Sequence, residues 1–148
     1  CIIRTFSKAY GLAGIRLGYT VANPSLIKEL RVFGFGDMGV NQAAYAAGLA
    51  SLEDEKHTQK YKDLVKEGKE LYYKQFDSLG LSYIRSITPF LMVKLNTSSK
   101  MAQKKLADKR VYVRKGEDWY MSGYLRITIG FQEENEACAA EIKRVLKL

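Results

Sequence analysis

Cysteine, histidine and tryptophan are nearly missing from this sequence, which holds two, one and one of them. Two cysteines, Cys1 and Cys138, are too few for a disulfide framework and fit a reducing compartment. The lone histidine, His57, sits among charged residues at a helix start, which reads as a surface position. No grouping of His, Cys and carboxylates has metal-ligand spacing, so no metal is expected. Long apolar runs are missing too. The longest stretch without a charge, Met38 to Leu52, is 15 residues and contains Asn41 and Gln42, too short and too polar to span a bilayer. No basic segment followed by an apolar run opens the chain, so the expectation is a cytoplasmic protein. Acidic residues are the minority: 16 Asp and Glu against 24 Lys and Arg leave a formal charge of +8. The basic residues are nonetheless spread over the whole chain and mixed with acids, as in Lys56, Lys60, Lys62 and Lys66 near Asp63 and Glu67. That pattern reads as solvated helix faces rather than a nucleic-acid-binding stripe. An anionic small-molecule ligand stays open.

What is present is enough for a folded core: 148 residues, 47% of them hydrophobic and 27% charged. The chain does not begin with Met and starts directly in an apolar run, Cys1-Ile2-Ile3. The expectation is a piece of a longer protein, with the first ~50 residues part of an incomplete domain.

Periodicity and punctuation predict the elements. Cys1 to Phe6 reads as a short buried strand, and Ile15 to Ala22 as a second, with a loop marked by Gly11 and Gly14 between them. Ser25 is expected to cap a helix to about Val32. Gly34 to Gly39 reads as a glycine-rich break. The small apolar residues of Asn41 to Leu52 predict a tightly packed buried helix. A long amphipathic helix follows to about Leu79, with Gly68 on its apolar stripe where another element can approach closely. Beyond Gly80 the pattern predicts a strand over Ile87 to Leu95 and a basic helix over Ser98 to Asp108. Alternating strands follow over Arg110 to Arg114 and Tyr124 to Ile129, then a last helix from about Glu133 to Leu146. Cys138 falls on that helix and reads as core.

The segment with chemical content is Thr5-Phe6-Ser7-Lys8-Ala9-Tyr10-Gly11-Leu12-Ala13-Gly14-Ile15-Arg16-Leu17-Gly18-Tyr19. It places a lysine at the end of a strand, hydroxyls at Thr5 and Ser7, and an arginine eight residues after the lysine. Lysine forms Schiff bases, given an apolar or cationic setting. Two hydroxyls and a guanidinium suit a phosphate. Together they ask for a cofactor carrying both an aldehyde and a phosphate.

Thr5 to Tyr19 resembles the lysine segment of the fold-type I aminotransferases that use pyridoxal 5'-phosphate. Tyr124-Leu125-Arg126-Ile127-Thr128-Ile129-Gly130, followed by Glu133-Glu134-Asn135, resembles a later segment of the same family. The likeness is greatest to its histidinol-phosphate aminotransferase group. It covers essentially the whole chain, as the C-terminal part of such an enzyme, with an α/β fold. It implies a remnant of the large cofactor domain over residues 1–54 and the small α/β domain, with its long connecting helix, over 55–148. By the same resemblance Lys8 is the catalytic residue that holds the cofactor covalently and shuttles a proton. Thr5, Ser7 and Arg16 match cofactor-binding positions, and Arg126 and Arg114 match substrate-binding arginines. The implied reaction moves an amino group between an amino acid such as glutamate and a phosphorylated oxo compound, imidazole acetol phosphate in histidine biosynthesis. The implied enzyme is a homodimer with small-molecule substrates and neither nucleic acid nor membrane as partner. Two alternatives stay open: a decarboxylase or carbon–sulfur lyase sharing Lys8 and Arg16, and a cofactor-sensing domain of a transcriptional regulator. One departure is Pro89 before Phe90, where the group often has asparagine.

Strand arithmetic bears on the arginines separately. Leu125, Ile127 and Ile129 point one way and Arg126 the other, while Val111 and Val113 oppose Tyr112 and Arg114. If the two strands are neighbours, both arginines share the non-core face. Trp119 and Tyr120 lie between these strands, either shaping a substrate pocket or covering the sheet's edge.

Overall fold

The structure, a computed structural model, describes residues 1–34 and 39–146. They form two compact units, residues 1–62 and 63–148, which part within one long helix.

In the first unit, β1 (Ile2–Thr5) and β2 (Gly18–Val21) make a two-stranded antiparallel ribbon, with Ile2 opposite Val21 and Thr5 opposite Gly18. Helices α1 (Pro24–Phe33) and α2 (Gln42–Glu53) follow. Three expectations are corrected here. The cap of α1 is Asn23 rather than Ser25: Asn23 Oδ1 accepts from the Ser25 N–H at 2.9 Å and its hydroxyl at 2.8 Å. Pro24, which has no N–H to satisfy, takes the first helical position and moves the cap back. β1 is exposed throughout rather than buried, because a ribbon of two strands has no second layer over it among the described residues. Only Phe6, just past its end, is buried, at 4% exposure. In α2 the buried residues are Ala44 and Gly48, while Tyr45, Leu49 and Leu52 are exposed. The small side chains serve one close approach, since a Cβ on Gly48 would lie 2.5 Å from Leu17 Cδ2. Of the glycine-rich break, residues 35–38 lie outside the described residues.

The long helix α3 (Glu55–Ser78) leads into the second unit. There β3 (Tyr83–Ile84), β4 (Phe90–Lys94), β5 (Arg114–Lys115) and β6 (Tyr124–Thr128) form an antiparallel sheet in the order β3-β4-β6-β5. Helices α4 (Ser99–Ala107) and α5 (Gln132–Leu146) complete it. Leu91, Val93, Leu125 and Ile127 are at most 1% exposed and join Tyr72 and Phe76 of α3, Leu106 of α4 and Ile142 of α5 in one core. Cys138 belongs to that core, and burial pushes its thiol pKa up. Pro89 leaves the ladder intact, its carbonyl accepting from the Ile129 N–H at 3.0 Å. His57 is exposed.

Arg110 to Arg114 does not form the expected continuous strand. Leaving α4 requires a left-handed residue, and Arg110 supplies it at φ +61° while the Val111 N–H turns back to the Leu106 carbonyl. The ladder begins only at Arg114.

Gly68 is where α3 meets the start of α5. A Cβ there would lie 2.5 Å from Ile129 Cγ2 and 2.6 Å from Asn135 Nδ2. Asn135 cannot move aside freely, because its amide accepts from the Gly130 N–H at 2.9 Å and donates to the Gly130 carbonyl at 3.0 Å. Gly68→Ala is therefore expected to destabilise the second unit by about 1–2 kcal/mol, overpacking outweighing alanine's better helix propensity. Urea unfolding of the wild-type and variant chains checks this: an unchanged or higher midpoint would mean that the contact relaxes without cost.

Candidate functional site

The β1–β2 ribbon determines where the lysine segment goes. Thr5 pairs with Gly18, and the Phe6 N–H donates to the Leu17 carbonyl at 3.1 Å, so the two chains part only after Phe6. Ser7 and Arg16, the next residue on each side, leave from the same end of the ribbon. The Leu12 N–H returns to the Phe6 carbonyl at 3.0 Å, and the Gly11 N–H to that of Lys8 at 2.9 Å. Lys8 thus sits on a closed turn whose anchor is the ring of Phe6, packed 4.9 Å from Tyr10 and 5.9 Å from Tyr19 between centroids.

Thr5 Oγ1 accepts from the Ser7 N–H at 3.0 Å and donates to Ser7 Oγ at 2.8 Å, which places two hydroxyl oxygens side by side. Arg16 is left-handed at φ +61°, and its Nη1 donates to the Ala13 carbonyl at 2.8 Å. That bond commits one of five guanidinium N–H groups and leaves the fork available for an anion. Lys8 and Arg16 are exposed and Ser7 is half-buried. The cluster of an amine, two adjacent hydroxyls and a guanidinium fits a cofactor that carries a carbonyl and a phosphate. The apolar setting expected around Lys8 is not supplied by the described residues of this unit.

The second cluster is on the sheet of the other unit. Arg114 is directly opposite Arg126 across β5 and β6, and Met92 faces Arg126 from β4. Directly opposed residues share a face, so both arginines lie on the side away from the core, as the alternation implied. Like charges so placed repel, and together they make this face of the sheet positive. Arg114 is exposed and reaches Asp118 at 3.8 Å, a carboxylate it shares with Lys115 at 3.7 Å. Arg126 is half-buried, and its Nε is buried without a hydrogen-bond partner. Its guanidinium carbon lies 4.6 Å from the centre of the Trp119 ring and 5.0 Å from that of Phe90. Trp119 therefore packs on the substrate-binding candidate, whereas Tyr120 is fully exposed.

Phe90 and Glu117 were not among the sequence candidates. Phe90 shares the alternation that places Met92 on this face, and that was a readable signal. Glu117 had none: its partner Ser99 is remote in sequence and donates from the start of α4 at 2.5 Å. Glu117 also accepts from the Gly123 N–H at 3.4 Å and Ser122 Oγ at 3.5 Å. Among the described residues no group of three or more His, Cys, Asp or Glu suits a metal ion, and no helix is long and apolar enough to cross a membrane.

The Ser99 hydrogen bond, then backbone N–H donors and the Lys115 charge, hold the Glu117 carboxyl below its ordinary pKa. A depressed folded-state pKa stabilises above the unfolded value, and the gain is lost as pH falls through the folded one. Below about pH 5, wild-type stability should therefore fall more steeply than that of Glu117→Gln. Urea midpoints between pH 7 and 3 measure this, and parallel curves would show that the carboxylate contributes nothing.

The model of the family described as aminotransferase class I and II matches residues 1–142. The histidinol-phosphate aminotransferase of Moorella thermoacetica is 39% identical over 145 residues, 98% of this chain and 37% of that relative. The one from Caldicellulosiruptor saccharolyticus is 37% identical over 145 residues, 98% of this chain and 40% of its own length. The chain thus spans about two-fifths of the relatives it matches. Among solved structures, the histidinol-phosphate aminotransferase from Sinorhizobium meliloti, in complex with pyridoxal-5'-phosphate, superposes with a TM-score of 0.84 at 25% identity. It covers 98% of this chain and 40% of that one. The Clostridium acetobutylicum enzyme, at TM-score 0.91 and 18% identity over 99% of this chain and 45% of that one, shares the fold.

Proposed function

The chain belongs to the aminotransferases of class I and II, and from that premise we propose that it is the C-terminal part of a pyridoxal-phosphate-dependent aminotransferase. Residues 1–54 close the large cofactor domain and residues 55–148 form the small domain. The reaction moves an amino group between an amino acid, glutamate, and a phosphorylated oxo compound of the histidinol-phosphate series. The enzyme is placed in the cytoplasm as a homodimer, on its resemblance to that group. The observation that carries the substrate reading is the cross-strand pair of Arg114 and Arg126, whose two positive charges on one face suit a dianion.

Pyridoxal phosphate, when bound, supplies the electron sink that makes the substrate's α-proton removable. Lys8 would hold the cofactor carbonyl through its amine, and the same amine, when free, would carry the proton from the substrate α-carbon to the cofactor carbon. Thr5, Ser7 and Arg16 hold the phosphate through two hydroxyls and one guanidinium fork. Arg126 grips the anion common to every substrate. Arg114 adds the second cation that a phosphate dianion requires and a carboxylate needs less.

Lys8→Ala in the full-length enzyme is expected to abolish both transamination and the borohydride-reducible link to the cofactor. Absorbance after borohydride treatment checks this, and a variant that still forms the link would remove Lys8 from its role. The arginines are separated by single-turnover kinetics of each half-reaction. Arg126→Ala should lower kcat/KM for both substrates by about 2–4 kcal/mol of transition-state stabilisation, and Arg114→Ala chiefly for the phosphorylated one. Equal losses for glutamate and the phosphorylated substrate in Arg114→Ala would leave only a generic aminotransferase. A decarboxylase or carbon–sulfur lyase would show no amino transfer to an oxo acid in the same experiment.

A further inference from the structure

We propose that Trp119 is a positioning residue for Arg126, held in place by a latch between Ser99 and Glu117. The inference rests on the reading of Arg126 as the substrate's anion clamp and asks what holds that clamp still. An arginine side chain has several rotatable bonds, and Arg126 has little of the usual polar restraint, its buried Nε lacking a partner. Its restraint comes from rings instead. The guanidinium carbon is 4.6 Å from the Trp119 centroid and 5.0 Å from that of Phe90, both within cation–π range. Ring contact orients a flat cation without occupying its N–H donors, so the fork remains available to an anion.

Phe90 is fixed by the β4–β6 ladder, opposite Thr128. Trp119 is not in a strand. It ends a short 3-10 turn, Gly116–Trp119, and is 41% exposed, so burial alone does not hold it. The turn is held in two ways. The Met121 N–H closes it on the Gly116 carbonyl at 2.9 Å, and Tyr120 leaves it in the left-handed region at φ +60°. The Glu117 carboxylate then ties it to α4 through Ser99, which is wholly buried. Ser99 thus fixes Glu117, the turn fixes Trp119, and Trp119 orients Arg126.

The test uses the full-length enzyme loaded with its cofactor and glutarate, an unreactive dicarboxylate, as the probe, with binding measured by isothermal titration calorimetry. Trp119→Leu, which removes the π face, should weaken glutarate about tenfold, and Trp119→Phe should restore affinity to within about threefold of wild type. Glu117→Ala, which removes the acceptor for Ser99, should fall between them. In the glutamate half-reaction the effect should fall on the substrate dissociation constant far more than on the limiting rate. If Trp119→Leu binds glutarate like wild type while Arg126→Ala does not, Trp119 does not position the clamp, and the reading of Arg126 stands. If Arg126→Ala binds like wild type, the reading of Arg126 fails and the inference with it. Should Trp119→Leu not fold, Glu117→Ala and Trp119→Phe decide: wild-type affinity in Glu117→Ala, or a tenfold loss in Trp119→Phe despite its ring, overturns the proposal.

Discussion

The antiparallel register of β4 on β6 is the constraint on which the second unit depends. It sets Leu91 against Ile127 and Val93 against Leu125, four side chains that are at most 1% exposed. Because strand side chains alternate, burying Leu125 and Ile127 leaves Arg126 only the opposite face. A slip of one residue would expose those two apolar side chains, at about 1.5–3 kcal/mol each, and press a guanidinium into the core. The position of the candidate anion clamp is thus a consequence of packing on the other side of the sheet. The same register, extended through β5, brings Arg114 opposite Arg126.

That arrangement opposes stability locally. Two arginines at directly opposed strand positions repel, and the carboxylate beside Arg114, Asp118, is 3.8 Å away and shared with Lys115. An exposed pair of that length contributes little. The aromatic faces of Phe90 and Trp119 offset part of the cost at Arg126 without neutralising its charge. A carboxylate in their place would bind the guanidinium more tightly and compete with an anionic substrate. Aromatic contact keeps the fork oriented and the positive potential intact.

What was legible in the sequence follows from which forces are local. The alternation in Leu125-Arg126-Ile127 marked the face of Arg126, and Gly68 on an apolar stripe marked a close approach. Phe90 against Arg126 joins positions 36 apart, and Ser99 with Glu117 joins positions 18 apart; only the register and the packing of α4 bring them together. Arg110 to Val113 alternated like a strand, yet leaving α4 through a left-handed Arg110 took precedence over that pattern. For β1 and α2 the apolar composition was read correctly and the burial was not. Composition marks a segment as able to be buried, whereas burial depends on a covering partner, and the described residues supply one only at Phe6, Ala44 and Gly48.

The same distinction separates the two units by task. The second unit holds a contiguous core built from a four-stranded sheet and three helices, so its arginines stand on elements with little freedom. Among its described residues the first unit has Phe6 and Ala44 as buried apolar side chains and leaves Ile2, Ile3, Val21 and Phe33 exposed. Its lysine turn is nevertheless closed by backbone hydrogen bonds from Phe6, Gly11 and Leu12, which do not depend on a large core. Local bonding can therefore preserve the shape of the Lys8 turn, but not its surroundings. A reactive amine needs an apolar or cationic enclosure as well as a fixed position. Under the proposed function, that enclosure and the cover for the exposed strands would come from parts of the enzyme outside this chain, which spans about two-fifths of the relatives it matches. On that reading the apolar surface of the ribbon and the exposure of Lys8 have one cause: both face the interior of the proposed large domain.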